Sequence, residues 1–251
     1  MIDLKGLEHQ VLDAFRQGGL KKAEKLLEAA ALQIEKSPDN SLELTRRLDA
    51  LNLAFNVHWW SSSLHGAVLI RRSNCSDEEF FRIAGQNSEF RSAFGNRFGW
   101  KGDLRNALEN NRLAVPGFTG SLFFTILYKK RSIGIISLTN IDLINRKLEF
   151  SIGLPFNRPA GIAHKSCLMM FHFLFWVIGI NKVYTYVYSN NYWSSKNSRK
   201  LGLHLEGFIN DFVLTDEGFV SAELFGLTKE QALRSEKLVR IVKRRINQTW
   251  H

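Results

Sequence analysis

The chain has 251 residues, 45% of them apolar and only 4 of them prolines, which excludes a disordered linker protein and leaves room for one sizeable domain with an appendage. Its two cysteines, Cys75 and Cys167, exclude a secreted disulfide framework and have no metal-type spacing, so a reducing cytoplasm is the expected setting. The formal charge of +10 lies outside the N-terminal segment: residues 1–50 hold 8 Lys/Arg against 9 Asp/Glu and the remainder 26 against 15, which favours anionic partners.

In chain order, residues 1–57 read as helices separated by turns: Leu4 to Phe15, then Gly18-Gly19, Leu20 to Ile34, the Ser37-Pro38-Asp39-Asn40 break, and Leu42 to Phe55. In the second helix Leu20, Ala23, Leu26, Leu27, Ala30, Ala31 and Ile34 recur at helical spacing and form one apolar face. Such a face has to be covered, so a packing appendage or a homodimer contact is expected. The run Gly19 to Ala29 resembles half of a tetratricopeptide-type repeat, but the sequence holds no second copy and a solenoid needs about three.

After Ser61-Ser62-Ser63 the pattern changes to apolar strands alternating with short helices. Ala67 to Arg71 reads as a strand, and Ser76, three residues before Glu79, as the capping box of a helix. Ser121 to Tyr128 and Ser132 to Ile141 form a predicted hairpin through Lys129-Lys130-Arg131. Lys147 to Gly153 is the next strand, followed by a loop at 155–163, an apolar helix, and a strand from Lys182 to Tyr188. This strand, helix, strand unit suits a parallel pair.

A polar helix over Tyr192 to Leu201 and strands at 205–214 and 218–227 complete a mixed α/β architecture on one sheet. The longest apolar stretch, Cys167 to Ile178, is interrupted by His172 and falls short of the roughly 20 residues that cross a bilayer. The N-terminus lacks the basic start and apolar run of a secretory signal, so no membrane partner is expected. Gln231 to Trp250 reads as a helix carrying Arg234, Lys237, Arg240, Lys243, Arg244 and Arg245, most simply a solvated terminal helix.

The segment that carries chemistry runs from Leu148 to His164. A loop of small residues between a strand and a helix exposes backbone N–H groups at the positive end of the helix dipole, a natural seat for a diphosphate. Gly161 and Ala163 permit close approach, and Arg158 can add charge-assisted hydrogen bonds. His164 adjoins this loop, with a capping or exposed role the simpler reading, and His172 reads as a hydrogen-bonded core histidine. No His/Cys/Asp/Glu cluster has metal spacing, so no metal is expected.

Arg158-Pro159-Ala160-Gly161-Ile162-Ala163 is similar to the Gln/Arg-x-x-Gly-x-Gly/Ala signature of the GNAT superfamily of N-acetyltransferases. Three further stretches resemble, in order and spacing, the subgroup that includes the ribosomal-protein N-terminal acetyltransferases. They are Ile180 to Val183 with Asn191-Tyr192-Trp193-Ser194, then Lys200-Leu201-Gly202-Leu203 to Gly207, then Gly218-Phe219-Val220 to Leu227. The likeness covers about residues 66–229 and implies three parts: a helical segment at 1–57, a GNAT domain at 65–229, and a basic helix or tail at 230–251.

It implies acetyl-CoA as acyl donor, with the pantetheine arm lying between splayed parallel strands at 147–153 and 182–188. Backbone groups near Phe150, Ser151 and Ile152 would hold the arm, and Arg158, Ala160, Gly161, Ile162 and Ala163 the diphosphate. Asn191 falls on the position that bonds the arm, as well as being a good helix N-cap, with the small Ser194 beside it.

The reaction needs a neutral amine and a proton for the departing thiolate. Glu149 is the first choice of base, on the strand face opposite Phe150; a surface carboxylate is the plainer alternative. The tyrosine acid usual in the family aligns with Ser198, which leaves Ser194, Ser198, water or Tyr192 as proton source. Pro159 is a second departure, since it removes one N–H from the cradle. The expected acceptor is a small-molecule amine, an amino sugar or nucleotide-linked amino sugar being suited to the basic charge, or else a protein α-amine. An acidic carrier protein is an alternative donor. The competing class is a non-catalytic CoA-binding or interaction module; nucleic acid is not expected, because the charge comes without a nucleic-acid-binding motif. Trp100, Phe118, Phe123 and Phe124 are candidates for the acceptor pocket, with core packing the alternative.

Overall fold

The computed structural model describes residues 4–35, 42–88, 90–91, 103–118, 120–156, 159–215 and 218–250. The N-terminal helices are α1 (Leu4–Gly18), α2 (Leu20–Glu35) and α3 (Leu42–Ala54), followed by a 3-10 turn at Val57–Trp60. Then come β1 (Ser63–His65), β2 (Val68–Arg72), α4 (Glu78–Gln86), α5 (Leu104–Leu113), β3 (Ser121–Tyr128), β4 (Arg131–Asp142) and β5 (Lys147–Gly153). The rest is α6 (Ile162–His172), β6 (Lys182–Tyr188), α7 (Tyr192–Lys200), β7 (His204–Thr215), β8 (Gly218–Thr228), α8 (Lys229–Arg234) and α9 (Glu236–Ile246).

The strands form one eight-stranded sheet in the order β1-β2-β3-β4-β5-β6-β8-β7. Every neighbouring pair is antiparallel except β5 and β6, which are joined through α6 and run parallel. Alternation along the strands divides the sheet into two faces. Leu122, Phe124, Ile126, Leu148 and Phe150 belong to the large core that includes α6, whereas Phe123 and Ile135 pack with Phe81, Ala84 and Leu108 of α4 and α5. The large core also takes in Val11, Ala23, Leu27, Leu51, Phe55 and Trp59, so the amphipathic N-terminal helices are covered by the sheet's own core.

Two local expectations are corrected. The capping box lies two residues before the expected pair: Asn74 accepts from Ser76 N at 2.9 Å and Asp77 accepts from Asn74 N at 3.0 Å, while Glu79 pairs with Arg82. The C-terminal stretch is not a solvated helix. It breaks at Ser235 into α8 and α9, and Leu238, Val242, Ile246 and Trp250 are buried in the large core. His172 is part of that packing, accepting from Trp250 Nε1 at 3.1 Å, as expected of a hydrogen-bonded core histidine. Among the described residues no helix is long and apolar enough to cross a membrane.

Candidate active site

The two parallel strands separate part-way along. β5 and β6 are in register at Lys147↔Lys182, Leu148↔Val183 and Glu149↔Tyr184. Beyond those pairs, Phe150 to Gly153 pair only with β4 and Thr185 to Tyr188 only with β8. Backbone groups of two facing edges are thereby released from the ladder, the condition under which an extended chain can be accepted between them. A cavity of about 590 Å³ occupies this opening, within the range typical of ligand clefts. Phe150, Ser151 and Ile152 line one wall and Thr185, Tyr186, Val187 and Tyr188 the other, with Asn191, Ser194 and Ser198 of α7 at its side.

One end of the cavity is the loop before α6. Pro159, Ala160, Gly161, Ala163 and His164 line it. Gly161 has φ of +82°, a conformation that favours glycine, and no side chain caps the helix it starts. The first-turn N–H groups of α6 are therefore presented without a side-chain partner at the positive end of its dipole. Ile162 departs from the expected cradle: its amide bonds the Pro159 carbonyl at 3.3 Å and its side chain is buried in the core. Arg158 lies outside the described residues.

Asn191 caps α7, accepting from Ser194 N at 3.1 Å, and also lines the cavity. Ser198 is buried at the cavity wall, whereas Tyr192 is 65% exposed and is not part of the lining. The His164 imidazole is held below its ordinary pKa first by burial and then by the positive charge of Arg245. Cys167 also lines the cavity, but burial pushes its thiol up to about 12, which suits a small packing group and not a nucleophile.

Glu149 lies on the face opposite Phe150, as strand alternation requires. It is only 5% exposed, which removes the reading of a surface carboxylate. Its Oε2 accepts from Asn140 Nδ2 at 3.0 Å. Asn140, at φ of +49°, sits in the irregular register between Thr139 and Asp142 of β4, a bulge that turns its amide back onto the carboxylate. The Tyr184 phenol, opposite Glu149 in register, is raised above its ordinary range by burial and then by the Glu149 charge, while a hydrogen bond from Asn140 acts the other way.

Tyr186 and Tyr188 in the cavity lining, and Asn140 and Tyr184 beside Glu149, were not expected. The alternation Tyr184-Thr185-Tyr186-Val187-Tyr188 was the available signal, because in β6 it puts three tyrosines on one face. Tyr186 stacks on Phe212 of β7 with centroids 4.6 Å apart. Ser151 Oγ and Ser137 Oγ, cross-strand neighbours on the same face, are buried with no hydrogen-bond partner among the described residues. The orphaned Ser151 hydroxyl, the released strand edges and the uncapped α6 fit a polar thioester arm carrying a phosphate group. Of the aromatic candidates, Phe123 and Phe124 are core residues, and Phe118 lines a second cavity of about 460 Å³ against α1 and α3. Trp100 lies outside the described residues.

Solved structures share this fold. A dodecameric spermidine N-acetyltransferase from Vibrio cholerae matches with a TM-score of 0.56 at 17% identity, over 68% of this chain and 98% of that one. A ribosomal-protein-S5-alanine acetyltransferase from Vibrio fischeri matches with a TM-score of 0.54 at 16% identity, over 67% of this chain and 96% of that one. No family model and no curated protein matches the sequence. At these identities the likeness establishes the fold, which is that of the GNAT acetyltransferases.

Proposed function

We propose that this chain, having the GNAT acetyltransferase fold, transfers an acetyl group from acetyl-CoA to a primary amine by direct attack in a ternary complex. The observation that carries this reading is the parting of β5 from β6 after Glu149 and Tyr184, which opens a cavity running to the uncapped start of α6. Acetyl-CoA bound there supplies the acyl group as a thioester. Backbone groups of Phe150, Ser151 and Ile152 hold its arm, and an N–H among them polarises the thioester carbonyl as charge builds on its oxygen. Amides of Ala160, Gly161 and Ala163, with Arg158, take the diphosphate. Asn191 and Ser194 flank the arm.

Glu149 serves as the base that removes a proton from the acceptor ammonium, directly or through water, with Asn140 fixing the orientation of its carboxylate. As the C–N bond forms and the C–S bond breaks, the departing thiolate needs a proton. Ser194 and Ser198 border the cavity, and so does Tyr188, whose phenol is a better donor than an aliphatic hydroxyl.

The acceptor is a small-molecule amine. An amino sugar or nucleotide-linked amino sugar suits the basic charge, and the matched structures offer a polyamine and a protein α-amine as further arms of the test. Isothermal calorimetry with acetyl-CoA, followed by thiol release across these amines, is the experiment. Binding heat and amine-dependent thiol release are expected. The absence of binding heat overturns the reading.

A further inference from the structure

We propose that Arg245 of α9 is a diphosphate-binding residue of the acyl-CoA site, so that the C-terminal helix completes the cradle begun by residues 159–163. The inference rests on the acyl-CoA reading above. A methyl group placed on Gly161 would lie 3.5 Å from Arg245 Nη1, so the guanidinium stands against the residue that starts α6 and lines the cavity. The charge of Arg245 also reaches His164 on the cavity wall, where it adds to burial in lowering the imidazole pKa.

The position of Arg245 is set by the core and not by a loose tail. Leu238, Val242 and Ile246 bury one face of α9. Beyond its end, Trp250 is buried against Trp176, with ring centroids 4.2 Å apart. At about 100° per residue, Arg245 flanks that buried face, whereas Arg244 projects from the opposite side. Arg234 and Arg240 are each paired four residues back, with Glu230 and Glu236; among the described residues no carboxylate pairs with Arg245.

The loop also needs what Arg245 offers. Pro159 has no N–H, and the Ile162 N–H is turned onto the Pro159 carbonyl, so two amides are missing from the cradle. A guanidinium can engage phosphate oxygens through two parallel N–H bonds, which an amide cannot. The C-terminal end of α9 carries partial negative charge unfavourable to a nearby anion; Lys243, Arg244 and Arg245 in its last turn offset it.

Calorimetry on the full chain with CoA and with dephospho-CoA, which keeps the diphosphate but lacks the 3′-phosphate, tests the assignment. Arg245→Ala is expected to weaken both ligands by about tenfold, with a shallower dependence on salt. Arg245→Lys should fall between, and Arg234→Ala, at an exposed arginine of α8 paired with Glu230, should bind as the wild type does. An unchanged melting temperature for Arg245→Ala is expected from its exposed side chain. Wild-type affinity in Arg245→Ala overturns the proposal, as does a loss confined to CoA, which would move the contact to the 3′-phosphate. In both cases the acyl-CoA reading stands; absence of binding by the wild type removes the two together.

Discussion

Glu149 is buried at the point where the strands part, next to the cavity wall but not itself in its lining: β5 supplies it, the β4 bulge brings Asn140 onto it, and β6 sets Tyr184 opposite. Its face was legible because residues two apart in a strand share a side, but the bulge was not, since a left-handed Asn140 leaves no periodic signature. If Glu149 is the base, Glu149→Gln lowers kcat by a factor of about 10²–10⁴ while the calorimetric Kd for acetyl-CoA stays near the wild-type value. The same variant should move the Tyr184 phenol down toward 10.0, the ordinary value from which burial and the carboxylate now raise it. Because the wild-type phenol is raised, its folded state holds the phenolic proton more tightly than the unfolded one. The associated stability is present below about pH 10 and lost as pH rises through the folded pKa. Ultraviolet phenolate absorbance against pH, in both proteins, measures that shift. Arg72 is a different kind of residue. It is 6% exposed, its guanidinium nitrogens find no acceptor among the described residues, and burial lowers its pKa to about 9. Trp60 lies over it at 4.9 Å, an attraction worth about 2 kcal/mol when desolvated. Desolvating the charge costs several kcal/mol, so Arg72→Met should raise stability by about 1–3 kcal/mol in urea at neutral pH.

At the scale of elements, charge concealed packing in α9. Basic residues at 237, 240, 243, 244 and 245 dominate its sequence, and the buried residues Leu238, Val242 and Ile246 make a narrow stripe among them. Such a stripe buries a surface helix on one side while leaving the rest wet. The cap before α4 was misplaced because two pairs, Ser76 with Glu79 and Asn74 with Asp77, have the same spacing; Arg82 draws Glu79 away and leaves the earlier pair to close the box. β6 was legible from its alternation, and the β3–β4 hairpin from two apolar runs joined through Lys129-Lys130-Arg131. The point where β5 and β6 part did not, since it is a property of two strands and the helix between them. Trp250 is the anchor beyond α9: it is 3% exposed, stacked on Trp176 and bonded to His172. Trp250→Ala should cost about 3–5 kcal/mol in chemical denaturation. If α9 carries Arg245 to the cradle, the folded variant should also bind CoA more weakly than wild type.

Across the whole molecule, one core joins the N-terminal helices to the sheet. Trp59 meets Phe173 at 5.6 Å, and Val11, Leu27, Leu51 and Phe55 belong to the same buried cluster as β3, β5 and α6. Helices that share a core with the sheet should unfold with it, so heating should give a single transition in which helix ellipticity and tryptophan fluorescence coincide. Two separated transitions would mean that residues 1–57 fold as a unit of their own. The sequence announced that these helices needed a cover but could not say which surface supplies it, because an apolar stripe specifies burial without naming a partner. Ligand linkage then extends the site to the entire fold. A ligand that binds only the folded state stabilises it by about 2.7 kcal/mol when present at 100 times its Kd, and each kcal/mol moves the midpoint of a chain of this size by about 2–4 °C. Acetyl-CoA should therefore raise the single melting midpoint by about 5–10 °C, and Arg245→Ala should require proportionately more ligand for the same rise. A midpoint indifferent to acetyl-CoA at every concentration would mean that the opening between β5 and β6 does not hold it.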